Sequence, residues 1–174
     1  MPRFIPKKWL NPAYTKECMM IIIGHPHIPS ERFWHIASLS ELENALKSTN
    51  NQNTNIFWFS ANDDRDFALS KRCYEGKIPF CVVIGNVKEC ALYAQYMPKY
   101  LIPAISFDIF SAKNHAILDS SLLDDNFTLA KTCQKIADSY MLDSKILAII
   151  SDENDIESVA LEGIDGAIFV SILR

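Results

Sequence analysis

The fold of this chain is decided by the stretch PFCVVIGNVKECALYA, residues 79–94. Its first half contains the continuous apolar run Phe80–Ile84, which is typical of a strand buried on both faces of a parallel sheet. Gly85 permits a tight turn, and Asn86 followed three residues later by Glu89 predicts a capping box at the start of a helix. The stretch therefore predicts one strand–turn–helix unit.

Similar units follow one another along the rest of the chain. The apolar segments predicted as strands are residues 18–23, 56–59, 80–84, 100–105, 115–118, 145–150 and 167–170. The helices are predicted to begin near Ser40, Asp63, Asn86, Asp125 or Asn126, and Ser151. The segment after the first strand, through Pro29 and Trp34, is predicted as a loop. This alternation indicates an α/β fold with a mainly parallel sheet of about seven strands.

Two architectures fit the alternation of strands and helices. The length of 174 residues suits an open doubly wound sheet, whereas a closed (β/α) barrel needs eight strands and typically about 250 residues. We predict a barrel-like sheet, an incomplete (β/α) barrel, and keep the open doubly wound sheet as the alternative. Three prolines exclude a long helix in residues 1–16, which are predicted as an N-terminal arm. Residues 17–174 are predicted to form a single domain.

Two segments carry a family resemblance: VIGNVKECA, residues 83–91, and DIESVALEGIDGAIF, residues 155–169. They resemble the phosphate-binding (β/α) barrels of the keto-deoxy-phosphogluconate aldolase type, which implies a barrel-like fold. Aldolase activity is not carried over, because such barrels form a Schiff base through a strand lysine and residues 100–103 contain none. The phosphate-binding glycine after the last strand is also replaced, by residues 170–172. The chain as a whole resembles a small bacterial α/β family, and that resemblance implies no particular activity.

Composition and charge argue against some classes of function. The net charge of −4 argues against nucleic acid as a partner, because nucleic-acid-binding proteins carry a basic patch. Charge is uneven: residues 101–174 contain 12 acidic and 5 basic residues. A solvated acidic face explains this excess, and a cation or metal site in the second half of the chain is the alternative. No nucleotide-binding glycine motif occurs.

The apolar runs and the cysteines of the sequence predict where in the cell the protein is located. No apolar run approaches the roughly 18 residues of a membrane-spanning helix, and the first residues lack the apolar core of a signal peptide. We therefore expect a cytoplasmic protein with no membrane partner. The five cysteines contain no C-x-x-C pair and are expected to be small core residues in a reducing compartment.

Candidate functional residues are expected where parallel strands end, because ligand sites of parallel α/β folds form at the carboxyl edge of the sheet. The ligand-binding candidates at this edge are His25, Ser60, Asp63 and Asn86. The catalytic candidates are Asp119 and Asp152, since two carboxylates that face one cleft can act as acid and base. Asp152 is equally explained as a helix cap.

The pair His25 and His27 is a candidate site for a divalent metal. Residues two apart in an extended segment point the same way, so that both imidazoles are able to bind one ion. Amidohydrolase barrels carry a similar H-x-H after their first strand, but their later ligands have no counterpart in this sequence. Asp119 or Asp152 would complete such a site. The alternative is a pair of histidines in a proline-bounded surface loop.

Two functional hypotheses follow from these observations. The first is a small-molecule-binding protein or an enzyme, with a phosphorylated metabolite as one ligand class and its site at the strand ends. The second is a non-catalytic protein-interaction module that uses the N-terminal arm and the Phe33-Trp34 loop; a homo-oligomer is compatible with either. A concave pocket lined by strand-end residues would favour the first, and an exposed apolar patch would favour the second.

Overall fold

The computed structural model describes residues 19–48, 55–106 and 120–173, and these contain seven strands and five α-helices. The strands are β1 Ile21–Ile23, β2 Arg32–His35, β3 Asn55–Ser60, β4 Phe80–Ile84, β5 Tyr100–Pro103, β6 Lys145–Ile150 and β7 Gly166–Phe169. The helices are α1 Leu39–Ser48, α2 Ala68–Gly76, α3 Val87–Tyr93, α4 Ser120–Tyr140 and α5 Asp155–Leu161. Residues 1–16 and the strand predicted at 115–118 lie outside the described residues.

All seven strands are parallel, in the order β1-β7-β6-β5-β4-β3-β2. From β2 to β7 the spatial order follows the chain, without the reversal that defines a doubly wound sheet. The sheet instead curls into a half-barrel, with β1 and β2 as its two edges. The predicted incomplete barrel is confirmed, and the open doubly wound alternative is wrong.

Apolar side chains cover both faces of the sheet. The outer core packs one strand face against all five helices, through residues such as Leu42, Leu69 and Ala130. The inner core fills the concave face with side chains from the strands themselves, among them Trp58 and Ile149. Burial on both faces explains why the central strands are continuous apolar runs rather than alternating ones.

The unit at residues 80–94 forms as its sequence predicts. All five residues of β4 are buried, and Asn86 Oδ1 accepts a hydrogen bond from the backbone of Glu89 at 2.9 Å. The Glu89 carboxylate reaches back to the backbone N–H of Gly85 at 2.7 Å, one residue further than in the usual capping box. This reciprocal cap fixes the turn between β4 and α3.

Several element boundaries differ from the sequence-based expectation; helix α5, for example, begins at Asp155 rather than near Ser151. Trp34 lies in the edge strand β2 rather than in a loop. Helix α2 begins at Ala68 rather than near Asp63, because residues 66 and 67 adopt left-handed φ values of 54° and 58°. Helix α4 begins at Ser120, so Asn126 is not its cap but a buried residue whose Oδ1 accepts from the backbone of Ile105 at 2.7 Å.

A 3-10 turn, Val170–Leu173, follows β7. It contacts β2, and Leu173 is buried in the inner core. Ile172 packs so closely on Gly24, directly after β1, that a Cβ there would clash with it. The turn therefore packs against β2 and against the residue that follows β1. Among the described residues, no helix has the length and apolarity needed to cross a bilayer.

Candidate functional site

The loops after β1 and β6 meet at the carboxyl edge of the sheet. His25 Nε2 lies 3.1 Å from Glu153 Oε2, and Glu153 directly follows the catalytic candidate Asp152. The His25 ring also lies beside Phe169, the last residue of the intervening β7, with 6.0 Å between ring centroids. Parallel topology thus brings these two loops together, although they are 128 residues apart in sequence.

Both ring nitrogens of His25 are occupied by hydrogen bonds. Nδ1 accepts from the backbone N–H of His27 at 3.2 Å, so the proton of the neutral ring is on Nε2 and is donated to Glu153. Neither nitrogen then offers a free lone pair to a metal ion. No cluster of three metal-binding side chains occurs among residues 19–48, 55–106 and 120–173. The His25/His27 metal site stays a hypothesis.

The ligand-binding candidates Ser60, Asp63 and Asn86 lie at the carboxyl edge of the sheet, as expected, but each takes part in a hydrogen bond with nearby backbone. Ser60 Oγ is buried and accepts from the N–H of Asn62 at 3.1 Å, the backbone N–H of Asp63 donates to the Ser60 carbonyl at 3.0 Å, and Asn86 caps α3. Their role in binding a ligand stays a prediction. Asp119 lies outside the described residues.

The neighbouring Asp64 is the buried carboxylate of this region, and it was not among the candidates predicted from the sequence. Only 5% of Asp64 is exposed. Its oxygens accept from Leu69 N at 2.7 Å, Ser70 N at 3.2 Å and Ser70 Oγ at 2.6 Å. It therefore supplies hydrogen-bond acceptors for the first turn of α2, across the two left-handed residues that precede that helix.

A cavity of about 370 Å³ lies at the same edge, between α4 and the β6–α5 loop. Its apolar lining includes Phe127, Ile149 and Val159, and its acidic lining consists of Asp124, Asp152 and Asp155. None of the described lining residues is basic. A small space that combines an apolar wall with a few charged groups has the general character of a ligand site.

Hydrogen bonds within the β6–α5 loop position two of these carboxylates. Asp152 Oδ1 accepts from the backbone N–H of Asn154 at 2.7 Å and from its side-chain amide at 2.6 Å. Asp155 Oδ2 accepts from the backbone N–H of Asp152 at 3.3 Å. Since each carboxylate is held through one oxygen, the other oxygen has no hydrogen-bond donor within the described part of the chain. Asp155 and Asp124 carried no sequence signal beyond their position near a strand end.

A second cavity, of about 470 Å³, lies at the opposite edge of the sheet. Its polar groups are hydrogen-bonded to one another: Asp165 Oδ1 accepts from Lys145 Nζ at 3.3 Å, and the backbone N–H of Asp165 donates to Gln134 Oε1 at 3.0 Å. Asp165 Oδ2 also accepts from the N–H of Ile146 at 3.1 Å. Such a satisfied network at the amino ends of barrel strands favours a role in stability.

Comparison with known proteins adds no assignment: no family model matches the chain, and no curated protein matches it. Function is therefore inferred from the chemistry of the site and not from the fold, because half-barrel and barrel scaffolds support many unrelated activities.

Proposed function

We propose that the chain binds a small organic cation, an amine with an apolar body, in the cavity between α4 and α5. The single observation that supports this function is the lining, in which three carboxylates accompany apolar side chains without a basic residue among those described. An ammonium group that leaves water needs charged hydrogen-bond acceptors. The free oxygens of Asp152 and Asp155 supply them, and Phe127 and Ile149 accommodate the hydrocarbon.

A phosphorylated metabolite, the ligand class of the phosphate-binding barrels that the sequence resembles, has weaker support. A phosphate needs basic side chains or a helix N-terminus with exposed N–H groups. The first turn of α5 instead carries Asp155 and Glu157, whose negative charges repel an anion. The acidic excess of residues 101–174 agrees with a cationic ligand.

Catalysis by this site is a separate hypothesis. An acid–base pair of Asp119 and Asp152 would act on a ligand bound at the carboxyl edge. Asp152 lines the cavity, whereas Asp119 is not among the described residues. Binding is therefore the function we propose, and conversion of the bound amine is left to an activity assay.

A thermal-shift screen of the full chain tests the proposal. We expect 2-phenylethylamine to raise the melting temperature, because a ligand that binds only the native state stabilises it. The uncharged analogue 2-phenylethanol and the anion phenyl phosphate should have little effect. Stabilisation by phenyl phosphate alone would contradict a cationic ligand and favour the phosphorylated class.

A second candidate function, protein interaction, is favoured by one observation on β2. This strand is an edge of the sheet, and Trp34 in it is 45% exposed. Edge strands with an exposed aromatic residue are common sites of strand addition by another chain. Sedimentation velocity at increasing concentration tests self-association along this edge: a Trp34→Ser variant should lose any oligomer that the native chain forms.

A further inference from the structure

Strand β2 has backbone groups that none of the other described strands uses. The N–H of Ile36, directly after β2, donates to the carbonyl of Trp58 in β3 at 3.0 Å. Because bonding along a strand alternates from one side to the other, Trp34 also bonds toward β3, whereas Phe33 and His35 direct their N–H and C=O groups away from it. Since β2 is an edge of the sheet, these groups are open to pairing with another strand.

The side chains of β2 alternate between the two faces of the sheet. Phe33 packs on the inner core and stacks on Tyr100, with 6.3 Å between ring centroids. Trp34 instead packs on Phe57 of the outer core, at 6.4 Å. Arg32 shares the face of Trp34, since it is two residues away in the same strand. It is exposed and forms no ion pair with the described residues, so this face presents an unpaired cation beside an exposed indole.

A groove of about 320 Å³ lies beside Trp34, between β2 and α1. Its described lining includes apolar side chains, among them Trp34 and Ala45, and one acidic residue, Glu41. Glu41 Oε2 accepts from the N–H of Ala37 at 2.8 Å, which leaves its second oxygen for a further donor. A guanidinium suits such a groove, because it stacks on an indole and bonds to a carboxylate. Arg32 of the same chain does not line it.

We propose that β2 pairs with β2 of a second copy of this chain, antiparallel across a two-fold axis at Phe33. The proposal rests on the second candidate function, interaction at β2, and not on the cavity between α4 and α5. In this register Phe33 faces its own counterpart and residue 31 faces residue 35, so the outward backbone groups of all three are paired. An axis at Trp34 would pair fewer groups, because residue 31 would then face Ala37, whose N–H already donates to Glu41.

The same register makes the side chains of the two copies complementary. A charged residue in an edge strand ordinarily opposes pairing with a like strand. With this axis, however, Arg32 of each copy lies opposite Trp34 of the other on the outer face, beside the groove that contains Glu41. On the inner face, Glu31 of each copy lies opposite His35 of the other. The edge is therefore self-complementary, as a two-fold interface requires.

The contacts that Glu31 already makes are compatible with this pairing. Its Oε2 accepts from the hydroxyl of Tyr100 at 2.8 Å, and its Oε1 is paired with Lys99. The Glu31 side chain nevertheless remains 32% exposed, and a carboxylate accepts more than two hydrogen bonds. The bond to His35 of the second copy therefore adds to these contacts without replacing them.

Sedimentation velocity of the full chain tests the proposal at concentrations from about 10 to 500 µM. Because the paired strands are short, we expect mostly monomer at the lowest concentration and mostly dimer at the highest. Species larger than a dimer are not expected, since a two-fold axis uses the β2 edge of both copies. A chain that stays monomeric throughout, or that forms larger species, would overturn the proposal. Either result would leave amine binding, which the thermal-shift screen tests, unaffected.

His35→Pro tests the pairing of the backbones. Proline removes an N–H that points away from β3, so the ladder within the chain is kept and the bond to the second copy is lost. We expect this variant to stay monomeric at the highest concentration. His35→Ala is the matched control: both variants lose the ring contact with Trp58, but alanine keeps the N–H and should keep most of the dimer. Equal dimer fractions in the two variants would overturn the pairing.

An exchange of the residues at positions 32 and 34 tests the register. Trp34→Arg places two arginines opposite each other and should abolish the dimer. The double variant Arg32→Trp/Trp34→Arg restores the pairs across the axis and should recover it. Loss of the dimer in both variants would overturn the axis at Phe33. The melting temperature of each variant, measured at low concentration, shows whether it folds; if Trp34→Arg does not, the comparison of His35→Pro with His35→Ala still decides.

Discussion

His25 donates a hydrogen bond from Nε2 to the carboxylate of Glu153 at 3.1 Å, and this bond joins the loops after β1 and β6. The His25 side chain is 17% exposed and that of Glu153 is 70% exposed. Strands β1 and β6 are the two neighbours of β7 in the sheet. The bond therefore crosses the carboxyl end of β7, next to the 3-10 turn Val170–Leu173. The bond fixes the position of the β6–α5 loop, which carries Asp152, relative to the loop after β1.

Glu153→Gln tests how much this bond stabilises the fold. A mostly exposed pair is screened by water, so we expect a loss of about 0.5 kcal/mol or less in the free energy of unfolding. Urea unfolding measures it, with Glu157→Gln on the solvent side of α5 as the control. A loss above about 2 kcal/mol would mean that the β1 and β6 loops depend on this contact far more than its exposure suggests.

Asp64→Ala should be among the most destabilising changes at the carboxyl edge. It removes the acceptor of three hydrogen bonds and leaves buried donors of Leu69 and Ser70 unpaired. We expect a loss of about 3 kcal/mol by urea unfolding. The adjacent Asp63→Ala should cost about 0.5 kcal/mol, because the turn uses the Asp63 backbone. Equal effects of the two variants would refute the assignment of Asp64 as the structural carboxylate.

Gly24→Ala tests the packing of the 3-10 turn Val170–Leu173 against the residue that follows β1. Gly24 has φ +90°, and an added Cβ would press on Ile172 and Phe169. We expect a loss of about 3 kcal/mol, from strain and from displacement of the turn. Gly163→Ala is the matched control: it also has a positive φ, +70°, but open space around it, so about 1 kcal/mol is expected. If both variants lost the same free energy of unfolding, strain of the left-handed backbone would explain the whole effect at Gly24, and the contact with Ile172 would explain none of it.

Alkaline pH should destabilise the fold through two tyrosines. Burial raises the pKa of Tyr93 and of Tyr100 above the ordinary value of 10.0. Above that value the native state binds more protons than the unfolded state, so the free energy of unfolding falls as pH rises past about 10. Absorbance titration at pH 11 should show two more tyrosinates after unfolding than before. Tyr93→Phe should reduce the difference to one; an unchanged difference would contradict the account.

Central elements of the fold were predictable because their patterns are local. The run Phe80–Ile84 and residues 146–150 of β6 are apolar throughout, as burial on both faces requires. Strand β2 was missed because an edge strand needs no apolar run: only Phe33 of its four residues is partly buried. Its aromatic residues were the one local sign of β structure.

Other features depend on contacts that local sequence does not encode. The late start of α2 follows from left-handed backbone at Asp66 and Phe67, where the Phe67 ring packs on Tyr93 at 5.0 Å between centroids. Topology predicted that functional candidates share one edge. It could not predict that Glu153 would form a hydrogen bond with His25, because this pairing depends on how the half-barrel curls.

The proposed cation site is tested by calorimetric titration of 2-phenylethylamine into the native chain and into Asp152→Asn, with Asp143→Asn as an acidic control outside the cavity. We predict binding by the native chain and the control, and at least about tenfold weaker binding by Asp152→Asn, since a charged hydrogen bond is lost. Equal affinity of all three proteins, or binding of 2-phenylethanol as tight as that of the amine, would contradict a cation site at the end of β6.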